Sequence, residues 1–159
     1  MSWRRYALTS EETKLAGQAF ASLLRPGDVV LLSGQLGAGK TTFTQGVARG
    51  LGVSDRVTSP TFIIVRQHEC VNDAGITTLH HADVYRVESI GEVMDLDLGE
   101  LVEESAVAIV EWGEIATSVF GRAVMTVDFL VDEKEGRTFV IDGALTEGRN
   151  VGLDNWASV

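Results

Sequence analysis

Residues 33 to 43, "SGQLGAGKTTF", combine three closely spaced glycines with a lysine and two threonines. Gly34 is followed, after four residues, by Gly39, Lys40 and Thr41, which satisfies the phosphate-loop pattern G-x-x-x-x-G-K-[ST]. Glycines let the backbone wrap closely around phosphate oxygens, so that successive N–H groups and the following helix N-terminus point at the anion. The pattern therefore predicts a bound nucleotide, with these loop residues as its contacts: Leu36, Gly37, Ala38, Gly39, Lys40, Thr41 and Thr42.

Two acidic residues are candidates to complete such a site. In a phosphate loop the lysine contacts the β- and γ-phosphates and the threonine hydroxyl holds Mg²⁺, so Lys40 is a catalytic candidate and Thr41 a metal ligand. A carboxylate at the end of another strand usually helps to hold the metal, and a further group orients the attacking water. Glu111 follows five apolar residues in "AVAIVEWGE", and Asp83 ends the run "LHHAD". We assign Glu111 to Mg²⁺ and Asp83 to catalysis on the water, although the sequence alone permits the exchange of these roles.

Neighbouring residues suggest further chemistry. His80, His81 and Asp83 resemble a metal cluster, but strand alternation places only His81 and Asp83 on one face, so we do not expect a zinc site. Trp112 directly follows Glu111 and is expected near the nucleotide. "VTSPTF" carries hydroxyl groups at Thr58, Ser59 and Thr61 around a proline that stiffens the chain. That segment is either a loop that senses the γ-phosphate or a plain turn into the next strand.

The flanking segments indicate the elements that position these residues. "TSEETKLAGQAFASLLRPG" has a capping-box pattern at Thr9 and Glu12 and ends at a Pro-Gly pair, which predicts a helix. Its apolar stripe is predicted to contain Leu15, Ala19, Phe20, Leu23 and Leu24. "DVVLLSG" predicts a buried strand before the loop, and "KTTFTQGVARGLG" predicts a helix after it. Strand-like composition recurs in "TFIIVRQ", "TTLHHADVYRV", "AVAIVEW", "AVMTVDFLVD" and "RTFVIDG", with a hairpin turn at "DEKEGR". The pattern predicts an α/β, P-loop NTPase-like three-layer fold with a mainly parallel central sheet of four to seven strands and a C-terminal β-hairpin.

Composition narrows the class of protein. The chain has 159 residues, 45% of them hydrophobic, which is enough for one core, so we expect a single domain over residues 1–159 with a partly mobile tail from about residue 145. Its net charge of -10 opposes direct binding to nucleic acid. Cys70 is the one cysteine, and no apolar run approaches the ~18 residues of a membrane span. We therefore expect a cytoplasmic protein with no membrane partner.

The order of the motifs carries a family resemblance. The phosphate loop, "TSPTF", "HHADVYR" and "VEWGE" together resemble the bacterial TsaE (YjeE) family, small ATPases of tRNA threonylcarbamoyladenosine biosynthesis. The resemblance implies ATP or ADP and Mg²⁺ as ligands, with Lys40 on phosphate, Thr41 and Glu111 on the metal and Asp83 as the catalytic aspartate. It further implies that Glu11 and the turn at Gly136 and Arg137 lie beside the adenosine.

The same resemblance implies a role and partners. The family supports TsaB with TsaD, which together transfer a threonylcarbamoyl group to the adenosine beside the tRNA anticodon, while TsaE binds and slowly hydrolyses ATP. Contact with tRNA would then be indirect, through the complex, and the net charge of -10 agrees with that expectation.

Other classes of P-loop protein remain as alternatives. A kinase acting on a small metabolite usually carries an arginine-bearing lid, and only Arg86 and Arg137 keep this alternative open. A GTPase should show the guanine signature N-K-x-D, which does not occur in the sequence. A module that binds a nucleotide without hydrolysing it would have the same loop. The acidic span over residues 88–104 is either a docking surface or a solvated face.

Overall fold

The structure is a computed structural model, and it describes residues 1–58, 65–84, 104–111 and 124–159. Within these ranges the chain forms seven strands and three α-helices. The strands are β1 (Trp3–Ala7), β2 (Val29–Gly34), β3 (Val65–Glu69), β4 (Thr78–Asp83), β5 (Ala106–Glu111), β6 (Met125–Val131) and β7 (Arg137–Asp142). The helices are α1 (Ser10–Ala21), α2 (Lys40–Gly50) and α3 (Asn150–Ala157), with a short 3-10 turn at Ala144–Thr146 before α3.

All seven strands belong to one sheet, in the order β1-β7-β6-β2-β5-β4-β3. The four central strands, β6, β2, β5 and β4, are parallel to one another. Antiparallel pairing occurs towards the edges, where β3 joins β4, β7 joins β6 and β1 joins β7. Every residue of β5 is buried, as expected for a central parallel strand covered on both faces. The α/β class, the mainly parallel centre and the C-terminal hairpin are confirmed.

Helices α1 and α2 pack with their backbones almost in contact. A Cβ atom added at Gly17 would lie 2.1 Å from the carbonyl oxygen of Phe43, and one added at Gly46 would lie 2.0 Å from that of Lys14. Only glycine permits such an approach at these two positions. The start of α1 is fixed by Thr9, whose side chain accepts a hydrogen bond from the Glu12 amide at 3.1 Å. The close packing therefore fixes the position of the amino end of α1 relative to the amino end of α2.

Aromatic side chains fill the space between the helices and the sheet. The Phe43 ring of α2 lies 5.4 Å, centroid to centroid, from both Phe20 and Phe129 and 5.5 Å from Phe139. Trp156 of α3 packs edge-on against Phe20 at 6.3 Å. All five rings are buried. Contacts of this kind anchor α2, and with it the loop that precedes it, to the hairpin strands.

The two ends of the chain meet each other and depart from the sequence-based expectations. β1 was not predicted, and it pairs along its length with β7. The tail from about residue 145, for which no element was predicted, contains helix α3, whose Leu153 and Trp156 are buried. The Trp156 indole donates to the Ala16 carbonyl at 2.9 Å, and the buried Arg149 guanidinium is bonded to both carboxylate oxygens of Asp28. These partners lie more than a hundred residues away along the chain, so the local sequence pattern could not indicate them.

None of the helices described is long and apolar enough to cross a membrane. The longest of the three, α1, has 12 residues.

Candidate functional site

The predicted phosphate loop lies at the carboxyl edge of the sheet, between the end of β2 and the start of α2. Gly34, Gly37 and Gly39 have φ values of 147°, 80° and 100°, a region that side-chain-bearing residues rarely adopt. A Cβ atom at Gly34 would also lie 2.8 Å from the Phe129 carbonyl oxygen. The glycines of the motif are therefore required by the backbone path of the loop itself, and the strand-loop-helix context expected for it is present.

Lys40 places a positive charge inside the loop. Lys40 is buried, with 4% of its surface exposed. Its Nζ donates to the carbonyl oxygens of Gly34 at 2.8 Å and Gln35 at 2.9 Å. Gly39 is the N-cap of α2, and no side chain of the described ranges caps this helix end. The ammonium group and the first N–H groups of α2 thus lie at one place, which favours an anion there.

Three side chains from different elements form a largely buried hydrogen-bonded chain beside the loop. Parallel pairing sets Glu111 of β5 opposite both Leu32 of β2 and Asp83 of β4. The Thr41 hydroxyl, at the start of α2, lies 3.0 Å and 3.1 Å from the two carboxylate oxygens of Glu111. His81 of β4 contacts the same carboxylate through its Nε2 and Glu111 Oε2. Both His81 and Glu111 are buried.

The loop and the strand ends enclose a cavity of about 240 Å³, which we call the loop cavity. It is lined by Leu36, Gly37, Ala38, Gly39, Lys40, Thr41, Thr42, Asp83 and Glu111. Every loop residue predicted as a nucleotide contact and both predicted carboxylates are among these. A hydroxyl and two carboxylates are hard oxygen donors of the type that Mg²⁺ prefers, so the residues present fit this metal.

A second cavity, of about 480 Å³, adjoins the loop cavity, since Gly37, Gly39 and Thr42 line both. We call it the hairpin cavity because Lys134, Glu135 and Arg137 of the β6–β7 hairpin form one wall. The opposite wall is the start of α1, from Leu8 to Ser10 with Thr13. The family resemblance pointed to the start of α1 through Glu11, but these four residues were not predicted to line a cavity, because the capping pattern at Thr9 explains them by helix formation alone.

Arg137 connects the hairpin to the phosphate loop. Its Nη2 donates to the Gly37 carbonyl at 3.1 Å and its Nε to the Ala38 carbonyl at 3.3 Å, while Nη1 contacts the Glu135 carbonyl. Gly136 lies closely under Tyr6, since an added Cβ would be 1.9 Å from the Tyr6 hydroxyl oxygen. Arg137 therefore contacts the predicted nucleotide loop, whereas Gly136 packs against β1.

Asp132 fixes the turn that presents Arg137. One of its carboxylate oxygens accepts hydrogen bonds from the amides of Gly136 and Lys134, both at 2.8 Å, and the other accepts from the Tyr6 hydroxyl at 3.1 Å. The Gly136 amide, followed by the Lys134 amide and the Tyr6 hydroxyl, lowers the pKa of Asp132 from its usual value. The ionised carboxylate thus holds the turn together.

Two other predicted residues within the described ranges, Glu11 and Gly136, line neither cavity. Glu11 lines neither cavity, and its carboxylate lies 3.5 Å from the guanidinium of Arg49 on the exposed face of α1 and α2. Trp112, Arg86 and the segment from Ser59 to Thr61 lie outside the described residues, as does the acidic span except for Glu104. In the sequence analysis His81 was weighed only as a possible zinc ligand, and its contact with Glu111 was not predicted. The signal that could have found it is that His81 shares a strand face with Asp83.

Comparison with known proteins agrees with the motif order. A family model described as "Threonylcarbamoyl adenosine biosynthesis protein TsaE" matches residues 8–139. The chain is 45% identical over 115 residues to the tRNA threonylcarbamoyladenosine biosynthesis protein TsaE of Bacillus subtilis, covering 72% of this chain and 68% of that protein. The TsaE of Treponema pallidum is 37% identical over 123 residues, covering 77% of this chain and 87% of that protein.

Two further comparisons extend this result. The TsaE of Streptomyces coelicolor is 50% identical over 99 residues, or 62% of this chain and 65% of that protein, slightly less than two thirds of its length. A solved structure described as the crystal structure of Bacillus subtilus YdiB superposes with a TM-score of 0.77 at 27% identity, covering 99% of this chain and 95% of that one. The chain therefore belongs to the TsaE family, which is involved in tRNA threonylcarbamoyladenosine biosynthesis.

Proposed function

We propose that this protein is a P-loop ATPase that binds ATP with Mg²⁺, hydrolyses it slowly and acts with a TsaB–TsaD complex in threonylcarbamoyl modification of tRNA. The observation that carries the proposal is the loop cavity, where Lys40 and Thr41 face the carboxylates of Asp83 and Glu111. On this proposal a nucleotide site, a metal site and a candidate general base would adjoin one another at one edge of the sheet.

The phosphates would lie along the loop between Gly34 and Thr42. Backbone N–H groups at the start of α2 and the Lys40 ammonium would bind the β- and γ-phosphate oxygens. This local positive charge is needed in a protein with a net charge of -10, because the average field repels a polyphosphate. Lys40 now bonds two loop carbonyls, and a γ-phosphate would give the same ammonium a charged partner.

The hydrolytic step assigns one role to each carboxylate. Thr41 and Glu111 would hold Mg²⁺, which when bound neutralises charge on the β- and γ-phosphate oxygens. Asp83 lies beside Glu111 in strand register and lines the same cavity, so it can accept a hydrogen bond from a water directed at the γ-phosphate. The water oxygen would bond to the γ-phosphorus while the bond from that phosphorus to the β–γ bridging oxygen breaks. The water's proton would pass to Asp83, and ADP and inorganic phosphate would be released.

The nucleoside would occupy the hairpin cavity. This cavity continues from the loop past Gly37 and Gly39, and its volume of about 480 Å³ is within the range of small-molecule sites. Arg137 would lie at the junction between phosphates and nucleoside. Glu11, as placed against Arg49, is at the margin of this arrangement, and we propose no direct contact for it.

Partner proteins would supply the contact with tRNA. The family is involved in the tRNA modification, yet an excess of ten negative charges opposes direct association with the RNA backbone. A role as the ATPase subunit of a TsaB–TsaD complex satisfies both facts.

Two measurements test the proposal. Purified protein should release phosphate from ATP, with Asp83→Asn binding ATP normally but hydrolysing it at least tenfold more slowly. Immobilised TsaB–TsaD should retain the protein in the presence of a nucleotide. If the Asp83→Asn variant hydrolyses ATP at the wild-type rate, the role of Asp83 is wrong. If no association occurs under any nucleotide condition, the accessory-subunit role fails and a kinase acting on a metabolite becomes the better explanation.

A further inference from the structure

We propose that His81 is a positioning residue for the metal site: it holds the Glu111 carboxylate in the orientation in which Glu111, with Thr41, binds Mg²⁺. The inference rests on the proposed function, because it concerns how that metal site is built. His81 belongs to the "HHAD" run, but neither the phosphate loop nor the hydrolytic step gives it a role.

The sheet places His81 where it can act only through Glu111. His81 is two residues before Asp83 on β4 and is paired in register with Ile109, two residues before Glu111 on the neighbouring strand β5. Its ring is fully buried, at 0% exposure, and it does not line the loop cavity. A ligand in that cavity therefore contacts Glu111 and Asp83 but not His81.

The chemistry of a metal-binding carboxylate, which is ionised, gives the contact a direction. The Nε2 of His81 bonds Glu111 Oε2, and an ionised carboxylate can only accept, so Nε2 donates. The Nδ1 of His81 is buried and has no hydrogen-bond partner within the described part of the chain. The contact with Glu111 is thus the polar interaction that accounts for a histidine at this buried position.

The contact also makes the two oxygens of Glu111 unequal. Thr41 lies within hydrogen-bond distance of both, at 3.0 Å and 3.1 Å, and by itself would leave the carboxylate free to rotate between them. His81 occupies Oε2 from the β4 side and so fixes the rotation. Oε1 keeps acceptor capacity on the Thr41 side, where the metal would bind. Outer contacts of this kind typically change metal affinity by about 10- to 100-fold.

The test separates metal binding from nucleotide binding. The affinity of the full chain for a non-hydrolysable ATP analogue is measured by calorimetry, first with a chelator and then across a Mg²⁺ titration. In His81→Leu, which lacks a donor, we expect the Mg²⁺ concentration for the half-maximal effect to rise about 10- to 100-fold. The affinity without Mg²⁺ should stay within about twofold of wild type. His81→Gln, whose amide nitrogen can take the place of Nε2, should restore the Mg²⁺ dependence to within about threefold.

Two further variants exclude a merely structural effect. Leu79→Ala removes a buried side chain from the same face of β4 and should lower thermal stability without changing the Mg²⁺ dependence. If His81→Leu does not fold, His81→Asn replaces it, because its shorter amide cannot reach Glu111. In a Glu111→Gln background, loss of the His81 donor should add less than twofold to the Mg²⁺ requirement.

The outcomes distinguish this inference from the function it rests on. An unchanged Mg²⁺ dependence in a folded His81→Leu or His81→Asn variant would overturn the inference and leave the ATPase proposal standing. An equal loss of affinity with and without Mg²⁺ would assign His81 to folding alone. If the wild-type protein binds no ATP analogue, or binds it without any effect of Mg²⁺, the proposed function fails and this inference fails with it.

Discussion

The two sides of the site are built in different ways. The loop cavity is assembled from the phosphate loop, the start of α2 and parallel strands in register, and a largely buried hydrogen-bonded chain joins Thr41, His81 and Glu111. The hairpin cavity lies towards the antiparallel edge of the sheet. Its wall is held mainly by hydrogen bonds between side chains and backbone groups: Arg137 donates to loop carbonyls, and Asp132 accepts from amides of the exposed turn.

This difference has consequences for how each side can vary. Buried side chains on neighbouring central strands cannot move without disturbing the sheet, which suits a site for phosphate and metal that needs fixed geometry. A turn held by surface hydrogen bonds opens at low free-energy cost. We therefore expect substitutions on the phosphate side to have large effects on binding and those on the hairpin side to have smaller ones.

Removing the Lys40 ammonium should show the largest effect. In Lys40→Ala the β- and γ-phosphates lose two charge-assisted hydrogen bonds, each worth about 2 kcal/mol, so ATP affinity should fall about a thousandfold. Calorimetry with the ATP analogue measures this directly. Lys14→Ala, which removes the same charge from the middle of α1, is the matched control and should stay within about twofold of wild type. A loss of less than tenfold in Lys40→Ala would place the phosphates elsewhere.

The helix pair α1 and α2 joins the two sides, and Gly46 tests this connection. A methyl group at Gly46 would meet the Lys14 carbonyl oxygen at 2.0 Å, and that backbone atom cannot move aside alone. Gly46→Ala should therefore destabilise the protein by about 3 kcal/mol, measured by chemical denaturation. Gly152→Ala in α3 is the control, because its methyl group would meet only the flexible end of Leu23 and alanine favours the helix. Similar stabilities for the two variants would contradict the close packing.

On the hairpin side, Arg137 tests whether the turn supports the phosphate loop. Arg137→Ala removes the donors to the Gly37 and Ala38 carbonyls, and ATP affinity should fall about tenfold, in line with the loss of one net charged hydrogen bond. Arg137→Lys should recover only part of this loss, because a single ammonium does not reproduce the guanidinium fork. Arg4→Ala on β1 is the control for charge. An effect as large as that of Lys40→Ala would remove the contrast between the two sides.

The sequence indicated which residues meet at the loop cavity more completely than which residues meet at the hairpin cavity, and the reason is physical. The loop's contacts are local in sequence, and the strand ends that carry Asp83 and Glu111 are signalled by apolar runs, so these residues could be placed at one edge. The Thr41 to Glu111 contact arises because α2 begins beside the end of β5. His81 could be assigned to the same face but not to a partner, because alternation gives a side chain's direction and not its neighbour.

Other features depended on tertiary contacts that no local pattern encodes. Leu15 was placed on the apolar stripe of α1, and this was wrong: it is 46% exposed, because the face of α1 that meets α2 is the small-residue face with Ala16 and Gly17. β1 and α3 contact each other, and the Trp3 indole of β1 donates a hydrogen bond to the Asp154 carboxylate of α3 at 2.8 Å. Contacts between residues this far apart in the sequence can be identified only once the order of strands in the sheet is known.

The smallest effect we expect concerns Asp132, which holds the hairpin turn. Its folded-state pKa is lowered, chiefly by the Gly136 amide, so its contribution to stability is present above the unfolded-state value, about 3.9, and is lost as the pH falls through the folded-state pKa. The stability difference between wild type and Asp132→Asn should therefore shrink from pH 6 to pH 3 in chemical denaturation. Glu133→Gln removes a neighbouring exposed charge without these contacts and should not reproduce the change. A constant difference across this range would mean that the turn does not depend on the ionised carboxylate, and surface hydrogen bonds to Asp132 would then not distinguish the hairpin side from the phosphate side.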